Sequence, residues 1–366
     1  MRIPLNYLKP ENEKVRARVM RRISQLLDRS FFVEGEDLAS FEKNFAAYCG
    51  TDYCHGVGSG TDALRTALLA IGVGPGDEVI TTPFTYVATS LAIAHVGARP
   101  VFVDVGKDGN MNSQLIESAI TKRTKAILPV HMYGNPCDMD AIKKIAKKNK
   151  LLVIDDCSHA QGTQYKNKKV GSLADVSCFS LYPSKNLGAW GDAGVITTNN
   201  KKIAERVYLY KNYGEEKTGR NYAKVLGYNS KLDPIQAIVL DEKLKYLDVW
   251  NARRRDVADW YRQGLENIPN LQVPLLAKET SYYVFPVLTS RREALRSALS
   301  KKEIETGIHY PQPMHLEEAF SYLGYKKGDF PQAEYFADHV MSLPMFPSLS
   351  KKEQKRIMIA VSEIMR

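Results

Sequence analysis

Between residues 60 and 200, short apolar runs alternate with longer stretches in which apolar residues return every three or four positions. Residues 78–81, 100–105, 126–131, 151–155, 176–181 and 194–198 read as strands; residues 61–71, 87–96, 111–120 and 139–148 read as helices. Several of the strands are apolar at nearly every position, as expected when helices cover both faces of a sheet. Strands alternating with helices imply a mostly parallel sheet in an α/β sandwich. Gly72, Gly74-Pro75-Gly76 and Gly188 punctuate the loops.

Further on, Asp233-Pro234 reads as an N-cap followed by proline in the first helical position. Ile235, Val239, Leu240, Leu244 and Leu247 continue as an amphipathic helix, with a break expected near Trp250. Residues 282–288 form a fresh strand pattern and 291–302 a helical one. The expected organisation is a large domain over 1–245, with an N-terminal helical segment, and a smaller α+β domain over 246–366. The length of 366 residues suits two domains.

Composition narrows the class. The apolar share of 44% and charged share of 25% are those of a globular protein, not of a disordered or collagen-like chain. No apolar run approaches the ~18 residues of a membrane span. Pro4, Asn6 and Lys9 interrupt the apolar stretch that a signal peptide needs. The net charge of +10 permits a polyanionic partner. However, the basic run at Lys143-Lys144 and Lys147-Lys148 is spaced by Ile142, Ile145 and Ala146 as the wet face of a helix, and no nucleic-acid motif accompanies it. Five cysteines without a CxxC pair speak against a disulfide framework or a zinc site. The expectation is a cytoplasmic protein with no membrane, nucleic-acid or metal partner.

Three features carry candidate chemistry, each at the expected carboxyl end of a strand, where ligands of open α/β sheets bind. Gly56-Val57-Gly58-Ser59-Gly60-Thr61 leads into a helix and offers backbone N–H groups to an anion. It is neither a dinucleotide GxGxxG nor a P-loop, and no clear first strand precedes it. Alone, it is as much a glycine turn as a phosphate cradle. Asp155-Asp156 ends a buried strand, where carboxylates are costly unless met by water, a cation or an N–H donor. For Asp155 the expected role is an ordinary one, capping the turn or facing solvent. Lys185 follows a strand among small and apolar residues, and a lysine in a dry pocket is the type that forms Schiff bases. Phosphate cradle, carboxylate and lysine together are the equipment for pyridoxal phosphate.

Longer segments sharpen this. Gly58-Ser59-Gly60-Thr61-Asp62-Ala63-Leu64, Gly76-Asp77-Glu78-Val79-Ile80-Thr81, Pro129-Val130-His131-Met132-Tyr133-Gly134 and Gly227-Tyr228-Asn229-Ser230-Lys231-Leu232-Asp233 occur in that order. With the Ser180 to Gly194 stretch, Gly307-Ile308-His309-Tyr310-Pro311 and Ser342-Leu343-Pro344-Met345-Phe346-Pro347, they span essentially the whole chain. The sequence resembles the DegT/DnrJ/EryC1/StrS family of sugar aminotransferases. The resemblance implies a fold-type-I, aspartate aminotransferase-like enzyme with pyridoxal 5′-phosphate (PLP) as cofactor and a homodimer with shared active sites. By the same resemblance, Lys185 matches the Schiff-base lysine and Asp156 the partner of the pyridine nitrogen. Gly60, Thr61 and Ser180 match phosphate ligands, Asn229 a phosphate ligand from the other subunit, and Tyr86 the aromatic on the cofactor ring. Asp156-Cys157-Ser158-His159-Ala160-Gln161-Gly162 exchanges the family's usual Gln and His, so that His159 takes the place beside the ring. Lys231 stands where the family commonly has Arg.

Some relatives replace the lysine with histidine and are dehydratases; Lys185 argues against that activity. The stretch from Tyr182 to Gly194, and Asn212-Tyr213-Gly214-Glu215-Glu216-Lys217, look most like enzymes that make 3-amino-3,6-dideoxyhexoses on dTDP. Members acting at C4 more often carry Gly-Glu-Gly-Gly after the lysine, and C4 stays open as the alternative. The expected reaction moves an amino group from an amino acid, L-glutamate, to a nucleotide-linked keto sugar. Lys217, Arg220 and Lys231 are candidates for the diphosphate, and His309 and Tyr310 for the sugar, with ordinary packing of that pair an equal alternative. Two rivals are a nicotinamide-dependent dehydrogenase, which the failed GxGxxG disfavours, and a non-enzymatic regulator, which would be expected to lose Lys185 or Asp156.

Overall fold

The computed structural model describes residues 2–216 and 221–366. Among these, the main sheet is built from β1 (Tyr53–Val57), β2 (Glu78–Thr81), β3 (Arg99–Phe102), β4 (Thr124–Ile127), β5 (Leu152–Asp156), β8 (Val176–Ser180) and β9 (Gly194–Thr198). A short hairpin of β6 (Gln164–Tyr165) and β7 (Lys168–Lys169) lies apart from it. The strand order is β1-β9-β8-β5-β4-β2-β3, and β9 runs antiparallel to both neighbours in an otherwise parallel sheet. The expected α/β sandwich is therefore present. The strand missing from the sequence reading is β1: Tyr53–Val57 precedes the glycine turn and pairs with β9 at the sheet edge. Its Cys-His-Gly centre lacks the β-branched run that marks the inner strands, so tertiary pairing rather than propensity makes it a strand.

Alternation along each strand sends successive side chains to opposite faces. Val79, Ala126, Ile154, Val176 and Cys178 pack with Leu64, Leu68 and Ile93 from α3 (Gly60–Ala70) and α4 (Val87–His95). Ile80, Ile127, Val153 and Phe179 pack on the other face with Phe41 and Phe45 of α2 (Glu36–Cys49) and Ile142 of α5 (Met139–Asn149). Lys143, Lys144, Lys147 and Lys148 of α5 are exposed, as the amphipathic reading requires. α6 (Lys201–Lys211) adds Ile203 and Val207 to the α3 side. α1 (Lys9–Arg29) lays Val15, Val19 and Leu26 on Ile238 and Val239 of α7 (Pro234–Leu244), with Arg22 bonded to Asp241 at 2.7 Å.

Two expectations are corrected here. Residues 111–120 form no α-helix but two 3₁₀ turns, Ser113–Leu115 and Glu117–Ala119; the Asn112 side chain, accepting from the Gln114 N–H at 3.1 Å, starts a turn in place of a longer helix. The long helix from Pro234 breaks at Lys245 and Tyr246, not near Trp250. Trp250 lies inside α8 (Leu247–Leu265), its N–H on the Tyr246 carbonyl and its ring stacked on Tyr246 at 5.7 Å. Asp233 occupies the N-cap position of α7, but its side chain accepts no capping bond.

Beyond this break, α8 packs with β10 (Phe285–Leu288), α9 (Arg292–Lys301), α10 (Pro331–His339), β11 (Val340–Leu343) and α11 (Lys351–Met365) around Tyr261, Phe285, Leu299, Phe336 and Ile357. β10 and β11 pair antiparallel, Phe285 opposite Leu343. Phe84, Phe102 and Tyr133 from the sheet region join the same core. We propose a domain boundary at the α7–α8 junction, with these rings as the contact between the two parts. No helix among the described residues is long and apolar enough to cross a membrane.

Candidate active site

The carboxyl ends of β5 and β8 and the first turn of α3 meet at a cavity of about 440 Å³. Strand alternation decides which carboxylate reaches it. Ile154 and Asp156 share the α3 face, whereas Val153 and Asp155 share the other. Asp156 is buried; its Oδ2 accepts from Thr89 Oγ1 at 2.9 Å and its Oδ1 from the Ser158 N–H at 3.0 Å. Thr85 Oγ1 lies 2.9 Å from Thr89 Oγ1 and extends this chain toward the start of α4. Both carboxylate oxygens are thereby oriented by donors from two separate elements.

Asp155 is fully buried on the opposite side, so the solvated or turn-capping role expected for it is wrong; the turn N–H of Ser158 goes to Asp156 instead. Asp155 Oδ2 is 3.1 Å from His131 Nε2, and His131 Nδ1 accepts from the Cys137 N–H at 3.0 Å. With Nδ1 an acceptor, Nε2 carries the ring proton and donates to Asp155. The donor atoms of His131, Asp155 and Cys157 lie within 4.8 Å of one another, a set that would hold a metal ion only after losing protons. Burial pushes the Cys157 thiol well up, which keeps its proton on sulfur.

α3 begins where Ser59 Oγ accepts from the Asp62 N–H at 3.1 Å. As the first two helical residues, Gly60 and Thr61 have N–H groups with no intrahelical acceptor, and both line the cavity. A Cβ on Gly60 would sit 2.5 Å from Ser180 Cβ, so only glycine lets the end of β8 lie against the helix start. After β8 the chain turns tightly: a Cβ on Gly188 would lie 2.2 Å from the Pro183 carbonyl oxygen, and the Lys185 N–H donates to the Tyr182 carbonyl. That turn presents Lys185 to the cavity, with Nζ 4.3 Å from the centre of the Tyr283 ring. Desolvation lowers the Lys185 pKa to about 8, and the charge of Asp156 pulls it partly back up.

The opposite wall is aromatic. His159 stacks on Tyr283 with ring centres 4.5 Å apart, and its Nε2 is 3.1 Å from the Tyr310 hydroxyl. Its Nδ1 is buried without a partner. Burial, then the Lys185 charge, holds His159 well below the ordinary histidine pKa, so the ring is neutral. His309, brought by burial and Lys185 to about 4, is neutral as well; its Nδ1 is 2.9 Å from Ser342 Oγ. Tyr86, 57% exposed at the start of α4, lies with its ring 5.6 Å from that of Tyr310.

Gly60, Thr61, Tyr86, Asp156, His159, Ser180, Lys185, His309 and Tyr310 thus come together around one cavity. Asn229 and Lys231 do not line it: Asn229 is exposed and accepts from Lys231 Nζ at 3.3 Å, and Lys231 lies over the Tyr213 ring. Lys217 and Arg220 fall outside the described residues. Thr89, Ser158, Ser184 and Tyr283 escaped the sequence reading. The i, i+4 spacing of Thr85 and Thr89 behind Tyr86 would have flagged one face of a helix start. For Tyr283, which arrives from far along the chain, no local signal exists.

The donors suit PLP: unpaired N–H groups for a phosphate, an oriented carboxylate for a ring nitrogen, an orphaned buried imidazole nitrogen beside them, and an amine of lowered pKa. The DegT/DnrJ/EryC1/StrS aminotransferase family matches residues 13–362. The chain is 42% identical over 365 residues to the dTDP-3-amino-3,4,6-trideoxy-alpha-D-glucose transaminase of Streptomyces venezuelae, covering 99% of this chain and 96% of that protein. It is also 42% identical over 363 residues to the dTDP-3-amino-3,6-dideoxy-alpha-D-galactopyranose transaminase of Aneurinibacillus thermoaerophilus, covering 98% and 99%. Among solved structures, S. venezuelae DesV in complex with a ketimine intermediate superposes with a TM-score of 0.96 at 41% identity, over 99% of this chain and 98% of that one. The lysine cavity and the whole-chain match lead to one conclusion: the chain belongs to the DegT/DnrJ/EryC1/StrS aminotransferase family.

Proposed function

We propose that this protein is a PLP-dependent aminotransferase that carries an amino group from L-glutamate to a keto sugar on a nucleoside diphosphate. The substrate we favour is a dTDP-3-keto-6-deoxyhexose, giving a dTDP-3-amino-3,6-dideoxyhexose; two relatives named as 3-amino-sugar transaminases support this choice. The observation that carries the reading is the convergence of Lys185, Asp156 and the start of α3 on one cavity.

When bound, PLP supplies a carbonyl that condenses with amines and a ring that takes up the electron pair left by a departing C–H proton. Gly60 and Thr61, through their N–H groups, and Ser180, through its hydroxyl, would hold the phosphate. Asp156 would keep the ring nitrogen protonated, its two oxygens already fixed by Thr89 and Ser158. Tyr86 and His159 would cover the ring. Lys185 Nζ would take the proton from the substrate carbon and hand it to the cofactor carbon that had carried the carbonyl oxygen. An amine with a pKa of about 8 exists in both protonation states near neutrality, as a shuttle of this kind needs. The neutral His309 and Tyr310 would meet the sugar without fixing a charge beside it. Lys231, with Lys217 and Arg220, would meet the diphosphate at the mouth. The active unit would be a homodimer in which Asn229 reaches the other subunit's phosphate. All five cysteines are buried thiols, which suits work in the cytoplasm.

The test runs the two halves separately. Loaded protein mixed with L-glutamate should release one 2-oxoglutarate per site, and the product form should then aminate dTDP-3-keto-6-deoxyhexose. Cofactor that binds but yields no 2-oxoglutarate removes glutamate as donor. Amination of only a 4-keto sugar nucleotide moves the chemistry to C4.

A further inference from the structure

β5 and β8 run side by side as far as Asp156 and Cys178, where the Cys157 N–H donates to the Cys178 carbonyl at 2.8 Å. Continued by two residues, the same register would bring Ser158 opposite Ser180, but the ladder stops short of them. The chain turns after Cys157, and the Ser158 N–H goes to Asp156 Oδ1 instead of to a strand. A side chain bridges the gap. Gln161 Nε2 donates to the Ser158 carbonyl at 3.1 Å and to the Ser180 carbonyl at 2.6 Å. Gln161 is fully buried and does not line the main cavity.

The two N–H bonds of a planar amide diverge at a fixed angle, so one nitrogen bonded to both carbonyls fixes their separation. Each carbonyl belongs to a residue of the cavity wall. Ser158 orients the Asp156 carboxylate through its N–H, and Ser180 lies against Gly60 at the start of α3. The amide therefore ties the carboxylate end of the cavity to the end where the unpaired helix N–H groups lie. A third limb leaves from the Gln161 backbone. Its carbonyl accepts from Asn251 Nδ2 of α8 at 2.7 Å, and Asn251 Oδ1 accepts at 2.9 Å from Nδ2 of Asn186, the neighbour of Lys185.

We propose that Gln161 is a positioning residue for the cofactor: its side-chain amide, bridging the Ser158 and Ser180 carbonyls, sets the spacing between the group that holds the ring nitrogen and the groups that hold the phosphate. PLP carries nitrogen and phosphate on one rigid ring, so a site that grips both must keep that spacing. A ligand that engages one end alone does not sense it. The inference rests on the reading of this cavity as a PLP site. The turn itself does not depend on Gln161, because Thr163 Oγ1 donates to the Gly134 carbonyl at 2.6 Å and Ser281 Oγ to the His159 carbonyl at 3.2 Å.

The measurement compares PLP with pyridoxal, the same ring without its phosphate, by absorbance titration of cofactor-free protein. Gln161→Met keeps the length of the side chain and removes both donors. It should weaken PLP binding about tenfold, the scale expected for two lost hydrogen bonds, and leave pyridoxal binding within about twofold. Gln161→His retains a single N–H when neutral, so its loss for PLP should fall between parent and Gln161→Met. Equal losses for PLP and pyridoxal would mean that Gln161 only stabilises the fold, and unchanged PLP affinity would mean that the spacing is set elsewhere; either result overturns the proposal. Should Gln161→Met fail to fold, the PLP-to-pyridoxal ratio of Gln161→His carries the same test. Parent protein that binds neither compound at Lys185 fails the reading of the site instead, which keeps the two failures apart.

Discussion

A lysine is useful here because of what surrounds it rather than because of its type. Nζ over the Tyr283 ring and away from bulk water loses part of the solvation that favours its proton, hence the value near 8. The amine is therefore protonated below about 8 and free above it. PLP uptake by cofactor-free protein should speed up with pH and level off above about 8; an ordinary lysine, titrating near ~10.4, would keep accelerating past pH 10. Stopped-flow absorbance measures this directly. Borohydride reduction followed by peptide mapping should place the pyridoxyl group on Lys185, and Lys185→Ala should bind the cofactor without turnover. A tag on any other lysine ends the assignment. The neighbouring carboxylates separate just as sharply. Asp156→Asn should reduce turnover severely, because an amide cannot keep a ring nitrogen protonated. Asp155→Asn should instead lower stability by ~1–3 kcal/mol through its buried partners His131 and Cys157, with little loss of turnover per folded molecule. Denaturant titrations beside kinetics on both variants decide it, and the reverse pattern would mean that the strand register is misassigned.

Among the elements, the sequence spoke most clearly where packing and pattern agree. β2, β5, β8 and β9 centre on short apolar stretches and are almost wholly buried, and their positions could be read within a residue or two. β1 could not, because His55 and Gly56 give it no strand signature and its pairing with β9 is made across more than a hundred residues. The 3₁₀ turns at 113–119 failed for the opposite reason: a helical period was present, but Asn112 diverted the backbone locally. The site followed the same division. Asp156 and Lys185 sit at strand ends that periodicity locates, whereas Tyr283 and the stacking on His159 depend on a contact between distant segments. The contact of α3 with β8 gives this scale its own prediction. Gly60→Ala forces a methyl to within 2.5 Å of Ser180 Cβ, so helix start and strand end must separate. Overpacking of this kind costs ~1–3 kcal/mol, and a phosphate cradle opened by that amount should bind PLP roughly tenfold more weakly or worse. Equilibrium dialysis of the variant checks it; unchanged affinity would mean that the phosphate lies elsewhere.

At the scale of the whole molecule, the single chain leaves several large apolar side chains uncovered. Met20 and Leu27 on α1, the run Phe31-Phe32-Val33, and Tyr222 and Leu226 are all exposed, Leu226 by 94%. Surfaces of this kind are what a second subunit covers. Asn229 follows the last of these residues closely and is exposed, its side chain bonded to Lys231 and its backbone bridged to Asn212, and it is absent from its own chain's cavity wall. On the proposed reading, a side chain placed this way would contribute to a phosphate site across an interface. Losing its bond to a charged group would cost ~1.5–3 kcal/mol, so Asn229→Ala should weaken PLP binding about tenfold or more. Mixing supplies the decisive measurement. Lys185→Ala and a strongly impaired Asn229 variant should each be inactive, yet a hybrid dimer would concentrate both defects in one site and leave the other intact. Activity should therefore reappear on mixing, up to the fraction of hybrid formed. Mixtures that exchange subunits and stay inactive would place Asn229 in its own chain's site, and a fully active monomer in sedimentation would remove the interface from the mechanism altogether.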